Sequence, residues 1–305
     1  MGYELFFKAT QRQPDRHDFE EYFESRAHYN IDDTQAWYEN ESTGVYFSFE
    51  LSDWACDEFP DDASPTEFAD EGDEYWVVFS LNYFRPHVFA LEAALEVRAF
   101  IEHFHLSLDD PHEGGMKQGP FTDFGFVNGW NRGNALACKA MAEADPSRRF
   151  LTYPSAALEC NWRWDFSVSE RQENIAEDIF IPTIFYIQHR GEIKSVVCWP
   201  DAIPILIPHV DLLVIGRNAM ATPPIAEEET GETALVEWNV LLPFLADFQQ
   251  GLEPAPYYKL MYERAPEALT AFIRALPILS DDVAGIGKDE VLDAELIAAA
   301  QSGAN

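Results

Sequence analysis

Between Cys56 and Trp76 the chain reads CDEFPDDASPTEFADEGDEYW, with nine carboxylates and no Lys or Arg. Such a segment cannot enter a core, because each unpaired buried carboxylate carries a desolvation penalty of several kcal/mol. It is flanked by GVYFSFEL and YWVVFSL, two runs of strand character. The acidic stretch is therefore expected to be the connection between two neighbouring strands, and the fold must be assembled from what lies on either side.

There is ample material for that. The chain has 305 residues, enough for two ordinary domains or one large one, and 47% of them are hydrophobic. With 14% aromatic residues, global disorder is excluded despite a formal net charge of −34. The excess is uneven: residues 1–110 hold 26 acids and 6 bases, whereas residues 111–305 hold 28 and 14. A surface of this sign disfavours nucleic acid, whose phosphates need Lys and Arg, and anionic membranes for the same reason. No apolar run reaches membrane-spanning length; IPILIPHVDLLVIG is broken by two prolines, His209 and Asp211.

The four cysteines, Cys56, Cys138, Cys160 and Cys198, form no Cys-x-x-Cys unit, which suggests free thiols in a reducing compartment. MGYELFFKATQRQ has neither a basic n-region nor a long apolar h-region, so a cytoplasmic protein is expected.

Residues 1–110 read strand, helix, three strands, helix. YELFFKA alternates, QPDRHDFEEYFESR starts a helix at Pro14–Asp15, and TQAWYENESTGVYFSFEL makes two strands turning through Asn40–Gly44. PHVFALEAALEVRAFIEHF is the clearest helix. The order predicts an α+β fold: an antiparallel sheet with helices on one face in the N-terminal part, then a mixed α+β second part. DDPHEGGMKQGP (Asp109–Pro120) serves as a boundary, giving an acidic sheet domain over 1–110 and a mixed domain over 111–305, or one core shared by both.

In the second part, GWNRGNALACKAMAEAD reads as a helix and TIFYIQHRGEIKSVVCW as a hairpin turning at Arg190–Gly191. AIPILIP and HVDLLVIG add strands, the first at an edge because of its prolines. ALVEWNVLLPFLADF and YYKLMYERAPEALTAFIRAL read as helices, the second interrupted at Pro266. NWRWDF leaves helix and strand both open.

No motif of named chemistry is present. GIGKDE lacks the earlier glycine and the Ser or Thr of a phosphate loop, and HEGGM has Met116 where a zinc-protease helix needs its second His. HFHLSLDDPHE gathers His103, His105 and His112 with Asp109, Asp110 and Glu113, the residue types of a zinc or iron site. Residues two apart on a helix point different ways, so the plainer reading is a pair of histidines at a helix C-terminus. Trp162, Trp164, Asp165 and Glu159 are the residue types of a sugar site, or of a core filled by aromatics. No metal and no cofactor is expected.

The acid excess itself has three readings. It is a solvated loop, a high-salt adaptation, or a docking surface for a basic protein. The third gives the expected function: an acidic binding or inhibitor protein of immunity type that neutralises a basic toxin or nuclease, by analogy with small acidic bacterial inhibitors. Its contact residues would be Asp57, Glu58, Asp61, Asp62, Glu67, Asp70, Glu71, Asp73 and Glu74, with Phe59 and Phe68 as apolar anchors. The alternatives are a hydrolase or metal-dependent enzyme built on a carboxylate–histidine site, with unassigned catalytic residues, and a structural or adaptor protein. Composition favours binding over catalysis.

Overall fold

A computed structural model describes residues 2–11, 14–52, 75–220, 232–279 and 283–302. All eleven expected contact residues between Asp57 and Glu74 lie outside the described residues. The chain divides into two compact units, Met1–Phe150 with Leu292–Asn305, and Leu151–Val291. Their helices, antiparallel sheet and mixed sheet make the fold α+β.

In the first unit the strands are β1 (Gly2–Ala9), β2 (Tyr29–Ile31), β3 (Gln35–Asn40), β4 (Val45–Leu51), β5 (Val77–Asn82), β6 (Leu106–Asp110) and β7 (Lys117–Gly119). They form one sheet in the order β2-β3-β4-β5-β1-β6-β7, antiparallel at every pairing. Alternation decides which side is buried. Tyr3, Leu5 and Phe7 of β1, Val45, Phe47 and Phe49 of β4, and Val77, Phe79 and Leu81 of β5 face inward. Helices α1 (Arg16–Glu24), α2 (Val88–Phe104) and α3 (Asp123–Ala144) pack on that inner face. Phe23 of α1 and Phe100 of α2 meet over Phe49, and Phe126 of α3 sits against Tyr3 and Phe79. Each such ring removed from water contributes about 1.5–3 kcal/mol. Helix α8 (Ala294–Ser302) returns to pack on α3.

Local chemistry sets the ends of these elements. Asp15 and Asp18 cap α1 reciprocally, each carboxylate accepting the other's backbone N–H at 2.9 Å. The Gly- and Pro-rich segment Asp109–Pro120 forms the β6–β7 hairpin. Asp110 organises it, accepting from the Tyr3 hydroxyl, His112 N (3.1 Å) and Met116 N (2.7 Å). A Cβ on Gly115 would lie 2.2 Å from that carboxylate, so only glycine fits there.

The second unit holds a mixed sheet of β9 (Phe185–His189), β10 (Glu192–Pro200), β12 (Leu212–Gly216), β13 (Thr233–Glu237) and β16 (Gly285–Ile286), in the order β13-β12-β10-β9-β16. The β10–β12 pairing is parallel and the others antiparallel. The β9–β10 hairpin turns at Arg190 (φ 53) and Gly191 (φ 83), the two left-handed residues a type I′ turn requires. A three-stranded sheet runs β11 (Ile205–Pro208), β15 (Tyr257–Leu260), β14 (Gln249–Gly251), with proline-flanked β11 at its edge. β8 (Leu151–Tyr153), α4 (Ser155–Phe166), α5 (Val168–Asn174), α6 (Trp238–Leu245) and α7 (Glu267–Ala275) complete the unit. Its core gathers Trp164, Trp199, Val197, Leu213, Ile215, Leu241 and Ile273.

Two segments expected as helix are strand at their starts. Thr233–Glu237 alternates half-buried and buried side chains and pairs with β12; Tyr257–Leu260 pairs with β11. In both, β-favouring Val and Tyr with a ladder partner outweigh the helical spacing of the residues C-terminal to them. The open segment NWRWDF is helical, within α4.

Candidate functional site

The ends of the acidic connection are defined. Ser52 N donates to Trp76 O at 3.0 Å, so the chain leaves and rejoins the first sheet at the same end of the adjacent central strands β4 and β5. There the Tyr75 ring lies tilted against Phe6 at 4.9 Å, its hydroxyl donates to Asp109 at 2.7 Å, and the Lys8 ammonium lies 4.5 Å over its ring.

From that end of the strands the outer face of the sheet runs in rows fixed by register. One row is Gln35, Glu50, Val78, Phe6, Asp109 and Gln118; the next is Trp37, Ser48, Ser80 and Glu4; a third pairs Glu39 with Tyr46. Glu4, Glu39 and Glu50 are exposed, while Trp37, Tyr46, Phe6 and Val78 are half-buried. Trp37 and Tyr46 stack at 5.7 Å, with ring planes 20° apart. The Arg85 guanidinium donates to the Tyr46 hydroxyl at 2.7 Å. Helices α1, α2 and α3 pack on the opposite face, and at the start of β4 Phe89 of α2 also meets the Tyr46 ring edge-on at 5.4 Å. Among the described residues this outer face carries half-buried Ser80 and buried Ser48 between two aromatic pairs, with Glu4, Glu39, Glu50 and Asp109 against Lys8 and Arg85. That is a shallow surface able to seat cationic side chains.

The histidines of the weak metal candidate disperse. His103 is in the last turn of α2, its ring 4.7 Å from Tyr22. His105 is the left-handed C-cap of α2 (φ 53). His112 lies tilted against the Tyr3 ring at 4.4 Å and places Nδ1 3.1 Å from Asp110. Among the described residues, no group of three or more His, Cys, Asp or Glu is placed to hold a metal ion. Of the sugar-site residue types, Trp164 is a core residue donating to Pro182 O at 2.8 Å. Asp165 is buried, accepting from Ile184 N at 2.7 Å and Lys288 Nζ at 2.6 Å. Glu159 pairs with Arg163 one turn along α4, and the Trp162 ring lies tilted against Phe166. These partners are structural.

Two adjoining clefts, both open to solvent, lie within the second unit and are called its outer and inner chambers. Its outer chamber, of about 440 Å³, is lined by His189, Arg190, Glu192, Lys194, Glu237 and Trp238 among others. Its inner chamber, of about 310 Å³, is lined by Tyr153, Cys160, Asn161, Trp164, Ile184 and Ser195 among others. His209, Val210 and Asp211 line both. Asp211 is held by the Tyr153 hydroxyl at 2.7 Å, Ser195 N at 2.9 Å and the Ser195 hydroxyl at 3.2 Å. Burial, together with the hydrogen bond to Asp211, pushes the Tyr153 phenol up. In the outer chamber Lys194 meets Glu192 at 2.7 Å, which lowers the Glu192 carboxyl and raises the Lys194 ammonium. Tyr153, Ser195 and Asp211 come from three separate segments, and His-Val-Asp reads as strand sequence, so no spacing announces this cleft.

Compared with protein-family models, with curated proteins and with solved structures, the chain finds no match. Fold and surfaces together define a class, an acidic two-unit α+β protein. Among the described residues, no helix is long and apolar enough to cross a membrane.

Proposed function

We propose that the protein binds a basic protein partner through its first unit and neutralises it, in the manner of an immunity-type inhibitor acting in a reducing, cytoplasmic setting. The observation that carries this reading is the outer face of the first sheet. Carboxylates Glu4, Glu39 and Glu50 stand there beside the stacked Trp37–Tyr46 pair and the tilted Phe6–Tyr75 pair, on the sheet from whose β4 and β5 ends the chain bearing the nine acids of 57–74 departs and returns. Charge of one sign steers a cationic partner and raises its association rate, while the rings supply apolar anchors.

The test is capture of basic proteins on the immobilised chain at low salt. Capture should fail in 0.5 M salt, where the Debye length is roughly 4 Å. It should weaken at least about tenfold in the triple variant Glu4→Gln, Glu39→Gln, Glu50→Gln, equivalent to about 1.4 kcal/mol. Retention that ignores both changes removes the reading.

One observation favours a second reading, a hydrolase. His189, His209, Glu192, Asp211 and Glu237 line one cleft of the second unit, as carboxylate–histidine chemistry would need. Turnover of an ester or amide substrate that is lost in His209→Ala would support it; activity indifferent to His209 would remove it.

A further inference from the structure

We infer that the cleft of the second unit is a binding site for a small zwitterion with an apolar body, of the class of large aliphatic and aromatic α-amino acids. The inference rests on neither functional reading, since it concerns binding in the second unit and holds whether or not the ligand is turned over.

Three features lead to it. The first is size and polarity. Chambers of about 440 and about 310 Å³ fall in the range of small-molecule sites. The inner one is lined mainly by apolar residues, with Ala156, Ala157 and Cys160 at its surface over buried Trp164, Ile184 and Val210, which suits one apolar or aromatic side chain.

The second is charge. The chain has 54 acids and 20 Lys or Arg, yet the outer chamber places Arg190 and Lys194 beside Glu192, Glu237 and Asp211. Both signs face one space, as a group carrying an ammonium and a carboxylate requires.

The third is the weakness of the pairs that now occupy these charges. Arg190 and Glu237 stand 3.9 Å apart with side chains 78% and 61% exposed, and Glu192, the partner of Lys194, is 71% exposed. Exposed pairs of this kind contribute roughly 0–1 kcal/mol, so a ligand that replaces them loses little. Asp211 is different. It is fixed by Tyr153 and Ser195 at the ridge between the chambers and gives a rigid anion for an ammonium group. A ligand straddling His209–Asp211 places its charged end among Arg190, Lys194 and Glu237 and its apolar body beside Ala156, Ala157 and Cys160.

The experiment is isothermal titration of the full chain with L-leucine, L-phenylalanine and L-tryptophan, and in parallel with 3-phenylpropionate and 2-phenylethylamine. Saturable binding of at least one amino acid is expected, with the des-amino acid and the decarboxylated amine each at least tenfold weaker than phenylalanine or undetectable. Lys194→Gln should weaken the bound amino acid about tenfold while leaving the affinity of 2-phenylethylamine within twofold. Ala157→Leu, which fills the inner chamber without touching a charge, should abolish binding while the far-UV spectrum and melting temperature stay as in the parent. Binding of the anion or the amine as tight as the amino acid, no binding by any of the three amino acids, or binding indifferent to Ala157→Leu would each overturn the inference. Capture of basic proteins by the first unit is read separately, so failure here leaves the other reading standing.

Discussion

Three side chains make the energetics of the interior concrete. Glu92, 1% exposed, accepts from Tyr38 at 2.8 Å, Asn40 Nδ2 at 2.9 Å and Thr43 Oγ1 at 3.0 Å, tying α2 to the β3–β4 turn. Glu92→Ala strands three donors in the interior. A loss of about 2–4 kcal/mol in urea unfolding is expected, against about 1 kcal/mol for Tyr38→Phe. Tyr22 is the opposite case. Its hydroxyl is buried with no hydrogen-bond partner, and burial pushes the phenol up to about 12. The folded state thus holds this proton more tightly than the unfolded chain, whose phenols titrate near 10. The stabilisation is complete below pH 10 and is lost as pH rises from about 10 to about 12. Tyr22→Phe should leave stability at pH 7 unchanged or higher, and should flatten the alkaline decline seen by circular dichroism. Cys138 is buried in the contact of α3 with α8, its thiol pushed up to about 12, while Cys160 and Cys198 are exposed. Iodoacetamide should therefore label Cys160 and Cys198 in the native protein and reach Cys138 only on unfolding.

At the scale of elements, the first unit was legible wherever one face of a strand or helix is buried. VYFSFEL and ELFF carry the alternation of a half-buried strand, and VFALEAALEVRAFIEHF carries a helical stripe, so their period names both element and burial. β13 and β15 were not legible: β13 runs directly into residues of helical spacing and pairs with β12 about twenty residues back, while β15 joins the distant β11 to a β14 of only three residues. The β9–β10 turn was legible from Gly191 alone. Because φ is 83 there, Gly191→Val should destabilise the unit by about 1–2 kcal/mol, measured by thermal melting, although a side chain at that position meets open space. Of the candidate sites, the acidic stretch is visible in composition. The sheet face beside it needs strand register, and the cleft at His209–Asp211 needs a tertiary fold.

For the whole molecule, a net charge of −34 sets a self-repulsion that folding must overcome. The melting temperature should rise between 10 mM and 0.5 M sodium chloride, the reverse of the salt dependence expected for binding. That opposition separates charge kept for docking from charge that salt merely has to screen. The most direct test is carbodiimide footprinting of carboxylates, read by mass spectrometry, with and without a captured basic partner. Protection of Glu4, Glu39, Glu50 and the acids between Asp57 and Glu74 is expected, with the acids of residues 151–291 modified as before. Unchanged labelling of the first unit, with protection confined to the second, would contradict a cationic partner on the N-terminal sheet.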